Sequence, residues 1–73
     1  MSQSMKQQII NNYPANKKHL IEAAFEVAAD FIQTDRAPEY NIEFLSDTLD
    51  AIFPGEFTQS ELYDISIQTL INE

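Results

Sequence analysis

The sequence predicts an all-α fold, a small antiparallel helical bundle of three main helices plus a short N-terminal helix. Three observations carry that expectation. Apolar residues recur at intervals of three and four along most of the chain, the period of an amphipathic helix. Pro14, Pro38 and the Pro54-Gly55 pair divide it into four stretches, each break falling where a helix must stop or start. No stretch alternates polar and apolar residues at the period of a strand, and the Asn-Gly and Asp-Gly hairpin turns are absent.

The first helix is expected over about 4–12. Ser4 with Gln7 reads as a capping box, and Met5 with Ile9 as an apolar i,i+4 pair. A helix of that length is marginal alone, so it must dock on the rest. The second is expected over 16–33, with Asn16 as its N-cap. At 100° per residue, Leu20, Ile21, Ala24, Val27, Ala28, Phe31 and Ile32 form one apolar arc, with Glu22, Glu26 and Asp30 opposite.

The third helix is expected over 38–53. Pro38 suits its first turn, and Glu39 beside it favours the positive end of the macrodipole. Ile42, Leu45, Leu49 and Ile52 make an inward seam with Phe53 beside it; Phe44 lies on its flank. Glu39, Glu43, Asp47 and Asp50 form a separate stripe. The fourth helix, 58–72, has the clearest start. Thr58 and Glu61 are a capping box, and Phe57 with Leu62 a hydrophobic staple. Leu62, Tyr63, Ile67, Leu70 and Ile71 are its expected apolar face, with Ile65 away from most of them.

Seventy-three residues make one helical domain, 1–73, near the lower limit for folding without staples. Leu, Ile, Val and Phe number twenty, about 27%, above the roughly 20% below which disorder is expected, so the chain folds. The lack of cysteine excludes disulfides, thiolate metal sites and a cysteine nucleophile. It fits a reducing compartment. With no apolar run long enough for a span or a signal peptide, the expected location is cytoplasmic.

Charge is distributed unevenly. Residues 1–21 hold three lysines and no acid, whereas residues 22–73 hold all twelve acids and a single cation, Arg36. A net charge of −8 on 8.4 kDa argues against direct binding to DNA, RNA or an anionic membrane, all of which demand positive surface.

Catalysis finds little support. His19 is the sole histidine, so no imidazole pair can ligate a metal, and no serine sits in a nucleophile elbow. One glycine rules out a phosphate-cradling loop. The segment from Asp30 to Asn41 lacks the central glycine and alternating acids of a calcium loop. In size and charge the chain is similar to an acyl carrier protein, but those proteins carry their prosthetic group on a serine opening a helix. Here Ser46-Asp47-Thr48-Leu49 lies inside the third helix. No enzyme, cofactor or metal is therefore expected.

The expected function is binding. The residues assigned to it are Glu22, Glu26 and Asp30 on one helix and Glu39, Glu43, Asp47 and Asp50 on the next. Like charges at i,i+4 destabilise a helix by roughly 0.2–0.5 kcal/mol per pair, so an ordinary solvated face would mix in lysines. Four residues of helix rise about 6 Å, close to the separation of successive phosphates on a strand. The expected partner is a protein with a basic surface, which the chain regulates or inhibits. The narrowest form is a nucleic-acid mimic facing a nucleic-acid-binding protein. The alternative is a self-associating assembly subunit, a homodimer in its simplest form, whose acids only keep it soluble. Tyr13 and Tyr40 are expected at core edges.

Overall fold

The computed structural model describes residues 5–72. Among them the order is α1 (Met5–Asn11), a 3-10 turn (Ala15–Lys17), α2 (Lys18–Phe31), α3 (Pro38–Ile52) and α4 (Gln59–Asn72). These form a small all-α bundle without strands among the described residues. It measures 34 × 33 × 19 Å. The short dimension is about two helix diameters, so each main helix has core on one side and water on the other.

Each boundary has a local cause. The helix expected to begin at Asn16 begins at Lys18, because Lys17 N–H donates to the Pro14 carbonyl at 2.8 Å and closes a tighter turn first. Asn16 lies in that turn and is not an N-cap. The expected Ser4–Gln7 capping box falls partly on a residue outside those described. Between α3 and α4, Phe53 to Glu56 form a turn closed by Glu56 N–H to the Phe53 carbonyl at 3.2 Å. Pro54 takes its second position, and Gly55, at φ +74°, takes the third, where a side chain would be strained. The fourth helix starts as expected. Thr58 N–H donates to Glu61 Oε1 at 2.7 Å, and Glu61 N–H donates to Thr58 Oγ1 at 3.2 Å.

The junction between α2 and α3 is built on Asn41, which is buried. Its Oδ1 accepts the Gln33 N–H at 2.8 Å, and its Nδ2 donates to the Gln33 carbonyl at 2.9 Å and the Ala37 carbonyl at 3.2 Å. The side-chain amide thus pairs with a backbone amide as a neighbouring strand would. It supplies partners for groups freed where α2 stops at Phe31.

The core contains Ile10 from α1, Ile21, Ala24, Phe25 and Ala28 from α2, and Leu45 and Leu49 from α3. Phe57, Leu62 and Ile65 complete it. Several sequence expectations are corrected here. Phe25, left off the apolar arc of α2, is buried, whereas Phe31 is 43% exposed. The cause is α1, which covers a second side of α2 and places Lys6 Nζ 5.4 Å from the Phe25 ring centroid. Phe31 is the last residue of its helix, where the chain turns away. Ile52, at the end of α3, is likewise exposed.

On α4 the expected face is rotated. Leu62, Ile65, Ser66 and Thr69 are buried, while Tyr63, Ile67 and Ile71 face solvent. The small hydroxyl residues turn inward because α3 and α4, the most extensively packed pair, cross closely. Ser46 and Ser66 meet there with their Oγ atoms 3.2 Å apart.

Candidate functional site

The seven carboxylates assigned from sequence are all exposed. Glu22, Glu26 and Asp30 lie on α2 opposite Ile21, Ala24, Phe25 and Ala28. Glu39, Glu43, Asp47 and Asp50 lie on α3 away from Leu45 and Leu49. Each row thus runs along its helix on the side turned from the core, held there by the burial of the other side.

Few cations meet these rows. Among the described residues, the one contact within 4 Å between a carboxylate and a basic side chain joins His19 Nδ1 to Glu22 Oε1 at 3.8 Å, with the His19 side chain fully exposed. Lys6 instead rests on Phe25, and the Arg36 guanidinium lies 4.9 Å from the Tyr40 ring centroid. Tyr40 in turn stacks on Phe44 at 5.8 Å, half-exposed beside Glu39 and Glu43. Lys17 acts on Glu61, outside both rows. The rows also end against the helix field. Asp30 sits in the last turn of α2 and Asp50 in the last turn of α3, and neither helix has a basic residue there.

A second group of polar residues joins the amino-terminal segment to the start of α4. Tyr13 packs edge-on against Phe57, which packs edge-on against Phe53. Its hydroxyl faces the Glu61 carboxylate, with Asp64 nearby. Burial, then the Glu61 contact, pushes that hydroxyl above the ordinary tyrosine range. The Thr58 amide holds the Glu61 carboxyl below its usual range. The Tyr13 and Thr58 hydroxyls and Lys17 add to this, and partial burial opposes it. Here a capping box doubles as an anchor for Tyr13, a role that Thr58 and Glu61 signalled and Tyr13 did not.

An open groove of about 460 Å³ runs between α1 and α2, lined by Lys6, Ile10, His19, Glu22 and Glu26 among others. Its charges are of both signs and exposed. Among the described residues, no three His, Asp or Glu side chains converge as a metal site would require. No helix among them is long and apolar enough to cross a membrane. The arrangement offers fixed negative charge on two outward helix faces, with one histidine near it. Among known proteins, no family model matches this chain, and neither a curated protein nor a solved structure shows significant similarity to it.

Proposed function

We propose that this protein is a non-enzymatic binding module of the cytoplasm that engages a basic surface of a partner protein through the acidic faces of α2 and α3, and so regulates or inhibits that partner. One observation carries the reading: the seven carboxylates stand exposed in two rows, and among the described residues no lysine or arginine lies within ion-pair distance of them. Unneutralised charge at that density is destabilising to the helices that bear it. A partner supplying lysine and arginine would relieve it and be drawn in by long-range attraction. The narrower reading, a nucleic-acid mimic, rests on the four-residue spacing of the rows.

The test is capture of partners from the source cell at low and high salt, by the native chain and by the double variant Glu43→Lys, Asp47→Lys. A partner held at low salt, released at high salt and not captured by the helical, normally melting variant supports the reading. Capture that survives the charge reversal overturns it. Release of the partner by added duplex DNA would single out the mimic.

A further inference from the structure

The seat of α1 is edged by acid on both sides. Along α2, Glu22 and Glu26 line the groove beside Lys6 and Gln7. Along α4, Glu61 and Asp64 line a second hollow beside Ile9, Asn12 and Tyr13. Between these two pairs α1 brings one charged side chain, Lys6, and it rests on the Phe25 ring. Among the described residues, no lysine or arginine lies within ion-pair distance of any of the four carboxylates. The helix is also lightly held. It has seven residues, buries Ile10 alone, and packs on α2 and α4 less extensively than α2, α3 and α4 pack on one another. Its carboxy-terminal end is fastened by Tyr13, whose ring meets Phe57 and whose hydroxyl meets Glu61. The three longer helices pack pairwise, so the bundle stays closed when α1 leaves.

We propose that α1 is a displaceable strap, and that an amphipathic helix of a partner protein, apolar on one face and basic on its flanks, takes its seat between α2 and α4. The strap itself shows what fits. Ile10 fills the apolar floor with Ile9 packed beside it, while Gln7 and Asn12 stand next to the two acid pairs. A helix with lysine or arginine at those two positions would pair with carboxylates that α1 leaves unpaired, and the same charge would draw it in. Once displaced, a seven-residue helix has no surface to fold on and melts. The seat shares Glu22 and Glu26 with the acidic face of α2 but takes nothing from α3. The variant Glu43→Lys, Asp47→Lys, which tests the reading above, therefore leaves this seat intact, and the two can fail separately.

Hydrogen exchange of the native chain tests the strap. The amides of Asn12 and Tyr13, bonded to carbonyls of α1, should be protected at least about tenfold less than those of Leu49 and Ile65. Their exchange should also respond little to mild urea, because local opening exposes little surface. Exchange of all four only with whole-molecule unfolding overturns the proposal. The seat is tested with a labelled peptide of residues 1–17 carrying Gln7→Lys and Asn12→Lys, titrated by fluorescence anisotropy. The closed strap lowers the peptide's apparent affinity for the native chain by the fraction of open molecules. Ile10→Ser, which loosens the chain's own α1, should therefore bind the peptide about tenfold or more tighter than the native chain. Adding Glu22→Lys and Asp64→Lys to that variant should reverse the gain, and so should roughly 1 M salt. Equal binding by the native chain and Ile10→Ser overturns the proposal. So does equal binding of a peptide of the same charge with Ile9→Ser and Ile10→Ser, which would show attraction without a seat.

Discussion

Ser46 Oγ lies 3.2 Å from Ser66 Oγ where α3 crosses α4, and both residues are out of water. Each hydroxyl also lies within bonding distance of the carbonyl four residues back, Ile42 O at 2.7 Å and Leu62 O at 2.8 Å. Two hydrogens therefore serve three contacts, so the bridge between the serines and the back-bonds compete. Removing either hydroxyl leaves the other fully satisfied.

Size, more than hydrogen bonding, should thus dominate at this crossing. Ser66→Ala should cost less than about 1 kcal/mol. Ser66→Leu, which adds a branched chain where the helices are closest, should cost about 1–3 kcal/mol through overpacking. Urea unfolding of the two variants checks the order. A leucine variant as stable as the alanine one would mean that the helices can separate here without loss.

Asn41 should be far less tolerant. Asn41→Ala strips the half-buried Gln33 amide of its partner and should destabilise by about 1–3 kcal/mol. Asn41→Asp keeps the acceptor for Gln33 N–H but turns a carboxylate towards the Gln33 and Ala37 carbonyls that Nδ2 now serves. It should be the worse of the two at pH 7, and it should recover part of the loss on acidification as that carboxylate takes up a proton. Thermal melting of both variants at pH 7 and about pH 4 tests the ranking.

Glu61 ties stability to pH. Its folded carboxyl titrates below the ordinary value of 4.5, so the unfolded chain takes up the proton first as pH falls. The contribution is whole above that ordinary value and is lost as pH falls through the lower, folded one. Glu61→Gln keeps a capping-box acceptor and should flatten the acid limb of the melting curve as pH falls below the ordinary carboxyl value. Tyr13 has the opposite sign. Its folded hydroxyl titrates above the ordinary value of 10.0, so its contribution is whole below that value and is lost as pH rises towards the folded one. Tyr13→Phe should therefore soften the loss of stability in alkali.

The helices and the exposure of the acidic rows were legible in the sequence because both follow from one period. Burying Leu45 on α3 turns Glu43 and Asp47 outward whatever the partner helix is. The rotation of α4 was not legible. Apolarity counted for Tyr63, Ile67 and Ile71, but a close crossing selects on volume and brings Ser66 and Thr69 inward. Phe25 was missed because its burial depends on α1 docking on a second side of α2, a tertiary choice that no local pattern records. Asn41 gave no signal, since an asparagine in a helix ordinarily belongs to its surface. It became a junction once the chain folded back to put Gln33 beside it.

The same rows set function against stability. Glu26 stands between Glu22 and Asp30 at four-residue spacing, exposed, with no cation within ion-pair distance among the described residues. Glu26→Lys turns two repulsive i,i+4 neighbours into two attractive ones, and each change of sign is worth a few tenths of a kcal/mol at low salt. The variant should melt a few degrees higher than the native chain at low ionic strength. That advantage should shrink towards zero near 1 M salt, where screening reaches about 3 Å. Its capture of a basic partner should weaken over the same salt range. A variant that gains stability and binds as well as the native chain would mean that the α2 row is surface and nothing more. One that gains stability and loses binding would show why a small domain with little stability in reserve keeps like charges side by side.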